Sequence, residues 1–227
     1  MEIKQFTWNY VNSNSWLIIE NGNGVLVDAI DSNQLYSEIS ELNDLKVIIT
    51  HSHFDHICGL NQVRKKRPDA KVISTHLCSE YMGNIYRNMS SSATAFMAFY
   101  NGSHNIEIEP FTSKPSDITF NDKFEFQWNK RLFKLISYQG HSLDGLIVLV
   151  DDAIMFSGDT LLSIPTVTRF PNGSTNSFWK DDIPRLMNLP ARIVVYPGHG
   201  DSGTLSEMIA INIPPSLNTK SGLDHQK

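Results

Sequence analysis

Residues 50–59, THSHFDHICG, place three histidines and an aspartate within six positions. A buried imidazole or carboxylate needs a partner that offsets its lost hydration, and an exposed loop does not need so many of them. In an extended segment, His51 and His53 are two apart and can reach the same ion. Asp55 and His56 follow where the chain turns into a helix, so they can face a second ion. The stretch therefore predicts a metal site, which the fold must accommodate.

Three further candidate ligands share one local pattern. His141, Asp159 and His199 each directly follow a glycine, and each comes after a short run that we interpret as a strand. The 50–59 stretch likewise follows the apolar run 47–49, which is typical of a strand buried on both faces. Strand-end loops hold functional groups on a rigid sheet. We therefore expect the four loops to meet at one site.

The donor atoms limit the choice of ion. Neutral imidazole and carboxylate suit zinc without any sulfur ligand, and iron or manganese accepts the same set. Cys58 lies inside the histidine-rich stretch, but we interpret it as a small buried residue rather than a ligand. Cys58 and Cys78 do not make a disulfide framework.

The segment 77–118 differs in texture from the rest of the chain, because aromatic residues and methionines stand among serines and asparagines. Two interpretations stay open. Its apolar residues belong to helices that pack on a sheet, or some of them line a substrate pocket or lid, since ligand sites favour such side chains.

Charge and hydropathy exclude several classes of partner. The net charge of −5 favours neither nucleic acid nor an anionic membrane. We interpret the basic run 64–67 as a solvent-exposed face at the end of a helix. No apolar run approaches the ~20 residues that cross a bilayer, and the N-terminus lacks a signal-peptide pattern. The sequence predicts a cytoplasmic protein that acts on a small molecule, as a monomer or a homodimer.

The motifs together resemble those of the metallo-β-lactamase-fold hydrolases, and within them the glyoxalase II group. The family pattern T-H-x-H-x-D-H-x-x-G is intact at 50–59. The later G-H, S-G-D-T-L and Y-P-G-H-G motifs stand at 140–141, 157–161 and 196–200. VLVDAID resembles the family's strand that leads to a metal-side aspartate, here Asp28. Five motifs in the family's order make the resemblance specific.

The resemblance implies an α+β fold, a four-layer αββα sandwich of two mixed β-sheets flanked by helices, with the metals at one edge between the sheets. It implies a single domain over residues 1–213, with 77–118 as an atypical insert or lid and 214–227 as a polar tail.

The resemblance also implies two divalent metal ions and their ligands. Zinc is the expected metal, with iron or manganese as alternatives. The first ion takes His51, His53 and His141. The second takes Asp55, His56 and His199, and Asp159 bridges the two.

The implied reaction is hydrolysis. Two divalent cations lower the pKa of a bridging water toward neutrality, and that water attacks the carbonyl of a small thioester, lactone or related ester. Asp55 is the catalytic candidate that orients the water and relays its proton to the leaving group. The carboxylate of Asp159 stands where β-lactamases proper often carry cysteine, which argues against antibiotic hydrolysis as the main activity.

Three alternatives stay open. A mononuclear iron persulfide dioxygenase of the same fold would also use two histidines of the first motif and His141. A non-catalytic or biosynthetic accessory protein would keep the fold without hydrolysis. RNA processing, known for this fold, is disfavoured by the acidic balance.

The departures from the family pattern concern the substrate. The loop around His141 reads QGHSLDG where the family commonly has PGHTPG, and the C-terminal helical domain of the large glyoxalase II enzymes is not expected here. Glutathione thioesters are therefore only one candidate substrate. Arg169 either contacts an anionic substrate or forms a structural salt bridge.

Overall fold

Two mixed six-stranded sheets form the centre of the protein. The computed structural model describes residues 1–101 and 106–213, so the predicted tail 214–227 lies outside the described residues. The first sheet has its strands in chain order, antiparallel up to the third strand and parallel after it. Its strands are β1 (Glu2–Trp8), β2 (Ser13–Glu20), β3 (Asn23–Val27), β4 (Leu45–Ile48), β5 (Lys71–Thr75) and β6 (Ile118–Phe120).

The second sheet runs in the reverse order, with its last strand at one edge. Four of its five neighbouring strand pairs are antiparallel. The parallel pair is formed by the fourth and fifth strands of this sheet in chain order. Its strands are β7 (Lys123–Trp128), β8 (Arg131–Ser137), β9 (Leu146–Val150), β10 (Ile154–Gly158), β11 (Val194–Pro197) and β12 (Gly203–Thr204).

Helices cover the outer face of each sheet. On the first sheet lie α1 (Asn33–Ser40), α2 (Phe54–Ile57), α3 (Leu60–Lys66), α4 (His76–Tyr81), a 3₁₀ turn (Ser90–Ser92) and α5 (Ala93–Asn101). On the second lie α6 (Thr175–Ser177), a π turn (Phe178–Asp182), α7 (Ile183–Met187) and α8 (Leu205–Asn212). The predicted four-layer αββα sandwich is confirmed.

The burial pattern explains the layers. Strand β9 is buried at every position, LIVLV, because one face meets the first sheet and the other meets helices. Trp16, Val148 and Phe156 belong to the cluster between the sheets, whereas Leu149 and Met155 belong to the outer cluster. Alternate residues of a strand therefore supply two cores.

Local chemistry sets the turn between β2 and β3 and the start of α1. Asn21 and Gly22 both have positive φ, 54° and 77°, which a two-residue hairpin turn requires. Ser32 caps α1 by accepting a hydrogen bond from the backbone N–H of Leu35 at 3.3 Å.

The interpretation of the basic run as a solvated face is wrong for Arg67. Its side chain is buried and donates hydrogen bonds to the carbonyl oxygens of Ile39 and Leu42, at 2.7 and 3.0 Å. It also pairs with Asp69 at 2.6 Å. Arg67 thus satisfies carbonyl groups at the end of α1 that have no partner within the helix.

Pro184 suits its position near the start of a helix. The chain passes from α6 through the π turn into α7, where Pro184 lies in the first turn and needs no backbone donor. The π turn ends at Asp182, whose Oδ2 accepts a hydrogen bond from the backbone N–H of Gly140 at 2.7 Å. Burial raises the pKa of the Asp182 carboxyl to about 6. The π turn therefore supports the loop that carries His141.

Across residues 1–101 and 106–213, no helix combines the length and the apolar character needed to cross a membrane.

Candidate metal centre

Four strand-end loops meet at one edge between the two sheets. His51 and His53 follow β4, and Asp55 and His56 lie in α2. The other three predicted ligands follow strands of the second sheet: His141 after β8, Asp159 after β10 and His199 after β11. The structure brings all seven together, six of them buried and His199 half-buried.

The first group consists of His51, His53 and His141. The Nδ1 atom of His53 lies 3.1 Å from the Nε2 atoms of both other rings. Their three ligand atoms all lie within 4.8 Å of one another, a spacing compatible with one ion between them.

The second group consists of Asp55, His56 and His199. The Nε2 atoms of the two histidines are 3.3 Å apart. The Oδ2 atom of Asp55 lies 3.6 Å from His56 Nε2 and 3.2 Å from His199 Nε2. These three atoms also lie within 4.8 Å of one another.

Asp159 lies between the two groups. Its Oδ1 is 3.4 Å from His56 Nε2, and its Oδ2 is 3.4 Å from His199 Nε2 and 3.5 Å from His141 Nε2. A single carboxylate therefore contacts histidines of both groups, as a bridging ligand must.

The backbone before Asp159 and His199 leaves no room for larger side chains. Gly158 has φ +49°, and a Cβ there would lie 2.5 Å from Thr50 Oγ1. A Cβ on Gly198 would collide with Asp159 Oδ1. The glycines in these two motifs are thus required by close approach.

Asp28 orients two of the ligand histidines. Its Oδ2 accepts a hydrogen bond from Thr50 Oγ1 at 2.8 Å and one from His56 Nδ1 at 3.0 Å. Because the only proton of the Thr50 hydroxyl goes to Asp28, its oxygen accepts from His51 Nδ1 at 3.1 Å. The Nε2 atoms of His51 and His56 are thereby turned toward the cluster.

Backbone carbonyls orient two others. His141 Nδ1 donates to the carbonyl oxygen of Val167 at 2.7 Å, and His199 Nδ1 donates to that of Val11 at 3.1 Å. A carbonyl only accepts, so Nδ1 of each ring carries a proton, and Nε2 is the nitrogen that faces inward.

His53 presents the opposite nitrogen. Its Nδ1 faces two inward lone pairs, while its buried Nε2 has no hydrogen-bond partner in the described part of the chain. Asp159 Oδ1 is also buried without a hydrogen-bond partner there. Buried polar atoms normally find partners. The Nδ1 atom of His53, the Nε2 atoms of His51 and His141 and the oxygens of Asp159 converge on one point, where a cation would bind them, so the residues fit a metal centre.

The protonation states of the first group suit cation binding. Burial lowers the pKa of His53 and of His141 to about 4, and lowers that of His51 well below its usual range. These imidazoles are therefore neutral near pH 7, the form that ligates metals.

The second group has the opposite character. Burial alone would lower the pKa of His199, but Asp159 and Asp55 outweigh it and raise the value to about 10. The same carboxylates outweigh burial at His56 and raise its pKa well above the usual range. Burial would raise the pKa of Asp159, yet the surrounding histidines, His199 foremost, hold it well below the usual range. Without a cation, this group is a cluster of imidazolium and carboxylate charges.

Asp144 connects the loops of the first group. Fully buried, it accepts hydrogen bonds from the backbone N–H of Ser52 at 2.8 Å and from the Ser142 hydroxyl. Ser52 lies between His51 and His53, and Ser142 follows His141. One carboxylate thus fixes the relative position of the two loops.

A cavity of about 110 Å³ opens above the cluster. Its floor contains His53, His141, Asp55, Asp159 and His199. Its walls are apolar and come chiefly from two segments, one before and within α5 and one between β10 and α6. The wall residues are Val11, Phe54, Met89, Phe96, Leu162, Ile164, Val167 and Phe170.

The segment 77–118 takes part in both roles that its composition allows. Cys78, Met82 and Met97 are buried in the helix-covered core of the first sheet. Met89 and Phe96 line the cavity instead. Packing on the sheet is thus confirmed for part of the segment, and a substrate-binding or lid role for its cavity-lining residues stays a prediction.

Two other residues singled out in the sequence lie apart from the cluster. Cys58 is half-buried, and its Sγ accepts a hydrogen bond from the Asp31 backbone N–H at 3.2 Å. It belongs to neither ligand group. Arg169 is exposed and does not line the cavity. It has no carboxylate within salt-bridge distance among the described residues, so the structural salt bridge is not formed there.

Sequence reasoning missed the residues that support the ligands. Val11 and Val167 act on histidines through backbone carbonyls, which side-chain identity does not encode. Phe170, whose ring centroid lies 5.4 Å from that of His53 and 5.3 Å from that of His141, carried no motif signal. The LDG sequence after Ser142 was the available signal for Asp144, since a carboxylate beside a ligand loop often orients it.

The chain is similar to several known proteins. The family model described as the metallo-beta-lactamase superfamily matches residues 8–199. A probable metallo-hydrolase of Streptococcus pyogenes serotype M6 is 25% identical over 211 residues, covering 90% of this chain and 86% of that protein.

A hydroxyacylglutathione hydrolase of Aliivibrio fischeri is 26% identical over 200 residues. The match covers 87% of this chain but only 64% of that enzyme. Among solved structures, that of the BLEG-1 B3 metallo-beta-lactamase superposes with a TM-score of 0.77 at 23% identity, covering 95% of this chain and 99% of that one. At that identity, the structural likeness establishes the fold alone.

Proposed function

The chain belongs to the metallo-beta-lactamase superfamily, and from that premise we propose that it is a dinuclear metal-dependent hydrolase of a small thioester, lactone or related ester. The position of Asp159 carries the proposal. Its two oxygens lie within 3.5 Å of histidines of both ligand groups, a placement that a single-ion site would not need.

The residues would hold two divalent ions as the resemblance implies. His51, His53 and His141 would hold one, Asp55, His56 and His199 the other, and Asp159 would bridge them. Zinc is the metal we propose, because imidazole and carboxylate ligands suit it. When bound, such a pair supplies an acidified water and polarises a substrate carbonyl.

Asp55 is the proposed catalytic residue. It belongs to the second group, lines the cavity, and has its Oδ2 3.2 Å from His199 Nε2. A carboxylate at this boundary between ligands and cavity is placed to orient water and pass its proton to a leaving group.

The outer hydrogen bonds keep the site ready for this chemistry. Asp28, Thr50 and the carbonyls of Val11 and Val167 hold the rings, so that ligand atoms need not rearrange when substrate arrives. The apolar walls limit water in the cavity, which strengthens electrostatic interactions at its floor.

Elemental analysis and a substrate panel test the proposal together. We expect two equivalents of metal and turnover of a thioester or lactone, with Asp55→Ala reducing turnover by roughly 10²- to 10⁴-fold. Asp44→Ala, at an exposed aspartate in the turn before β4, is the matched control and should leave both quantities unchanged. One equivalent of iron with no hydrolysis of thioesters, lactones or β-lactams would overturn the proposal, and oxygen consumption would then identify the persulfide dioxygenase alternative.

We propose a small molecule as the partner of this site. A cytoplasmic location and the lack of a nucleic-acid or membrane partner stay predictions from the sequence, as does the choice between monomer and homodimer.

A further inference from the structure

The walls of the cavity differ sharply in chemistry from its floor. All eight wall residues are apolar, and the five floor residues are the candidate metal ligands. Within the described part of the chain, no lysine or arginine lines the cavity. A substrate group that rises from the floor therefore meets hydrocarbon and aromatic surface, without a cation to pair with a carboxylate.

The nearby arginines are directed elsewhere. Arg87 donates a hydrogen bond to Asn172 Oδ1 at 3.1 Å, and its guanidinium lies 5.2 Å from the centroid of the Tyr81 ring. Arg169 is exposed outside the lining. An anionic group held among the walls, beyond reach of the metal ions proposed for the floor, would lose hydration without gaining a cationic partner, which is costly.

The rim extends the apolar surface to the opening. Ile164 and Val167 are 50% and 49% exposed, although both are aliphatic, and both face the same cavity. Phe96 and Phe170 lie deeper, with ring centroids 6.3 Å apart. Apolar side chains that converge on one opening above polar groups are characteristic of a ligand site.

We propose that this cavity selects esters or thioesters whose enclosed portion is apolar and uncharged, and that it discriminates against glutathione-like and dicarboxylic substrates. The inference rests on the proposed hydrolase function and narrows its substrate class. The cavity volume limits the enclosed group, since about 110 Å³ is less than the ~150 Å³ cavity that accommodates benzene. A short acyl group of about four carbons fits this volume.

Four matched thioesters test the selection on the metal-loaded protein: butyryl and succinyl esters, each of N-acetylcysteamine and of glutathione. Butyryl and succinyl groups have the same number of carbons and differ in a terminal carboxylate. We expect butyryl-N-acetylcysteamine to have the highest kcat/KM, and each anionic replacement to lower it about 10-fold. Preference of the wild-type protein for the succinyl or the glutathione ester would overturn the inference.

A positive charge introduced at the rim gives a second test of the selection. Val167→Lys keeps the backbone carbonyl that orients His141 and adds a cation at the opening. It should reduce the preference for butyryl over succinyl about 10-fold. Met187→Lys, at a 58% exposed methionine of α7, adds the same charge outside the cavity and should leave the preference unchanged. Equal shifts in both variants would contradict a local effect at the rim.

A binding measurement separates failure of this inference from failure of the proposed function. Methyl NMR of Ile164, Val167 and Met89 is recorded with butyramide and with its anionic counterpart, succinamate. Shifts with butyramide alone support the apolar selection even if no ester is hydrolysed, a result that would reject the hydrolase proposal. Equal or larger shifts with succinamate reject the selection, whatever the activity.

Discussion

The two ligand groups lie at the same edge of the fold but differ in the protonation state of their histidines. The group of His51, His53 and His141 is neutral near pH 7, because burial lowers the pKa of its rings. At His56 and His199, the carboxylates of Asp55 and Asp159 outweigh burial, and the rings are protonated. The neighbouring carboxylates, rather than burial, thus decide whether a buried histidine must lose a proton to bind a cation.

The largest expected effect comes from removing one ligand of each group. His53→Ala and His199→Ala should each reduce metal content from two equivalents to about one, since each deprives a single group of a ring nitrogen. Elemental analysis of the purified variants measures the content. Retention of two equivalents by both variants would contradict the division into two groups.

Removing the hydrogen bonds that orient the ligand histidines should change the metal affinity of the two groups differently. Thr50→Val keeps the side-chain shape but removes the hydroxyl that connects His51 to Asp28, so it should weaken the first group alone by about 10- to 100-fold. Asp28→Asn should weaken both groups, because Asp28 also accepts from His56. Titration against a chelating dye measures the metal affinity of each group. Equal effects of Thr50→Val on both groups would show that the hydrogen bonds from His51 through Thr50 to Asp28 do not act on the first group alone.

The pH dependence of metal uptake should also differ between the groups. With a pKa raised to about 10, His199 holds its proton near pH 7, and a cation must displace it. In His53→Ala, which retains the second group, affinity should therefore rise with pH, by about 10-fold per pH unit for each proton released. In His199→Ala, which retains the first group, affinity should change little between about pH 6 and 8. Calorimetry in buffers of different ionisation enthalpy counts the protons, and identical counts would contradict the comparison.

The smallest effect concerns the support of the first group by Asp144. Asp144→Ala leaves the Ser52 N–H and the Ser142 hydroxyl without their acceptor, and should cost about 1–3 kcal/mol in the free energy of unfolding. Urea denaturation measures it. Ser142→Ala, which leaves the Ser52 bond in place, is the milder control, and a loss as large as that of Asp144→Ala would show that the Ser52 bond contributes nothing.

The candidate ligands were predictable from residue type and spacing, whereas the four-layer architecture was predicted from the resemblance of five motifs to a known family. Imidazoles and carboxylates after short apolar runs indicated loops that meet at a sheet edge, and the structure places all seven side chains there. Their assignment as ligands of two ions stays a prediction. The edge strands of the first sheet were harder to predict from the sequence. Only Phe6 and Trp8 of β1 are buried, so its pattern is weak, and β6 has only three residues.

What escaped prediction depends on tertiary position. Arg67 looked like part of a charged surface, but α1 ends beside it, and Ile39 in its last turn and Leu42 just after it supply two carbonyl acceptors. Likewise, the carbonyls of Val11 and Val167 resemble those of any other residue until the fold places a histidine against them.

Val11 and Val167 each hold a ring through the main chain and offer a side chain to the cavity. Redesign of this enzyme's selectivity can therefore exchange side chains at these two positions freely while the carbonyls keep their partners. A change in loop length at either place would instead move a carbonyl away from its histidine. Variation among homologous catalysts should then favour substitutions over insertions in these loops, so that new specificities arise without rebuilding the centre.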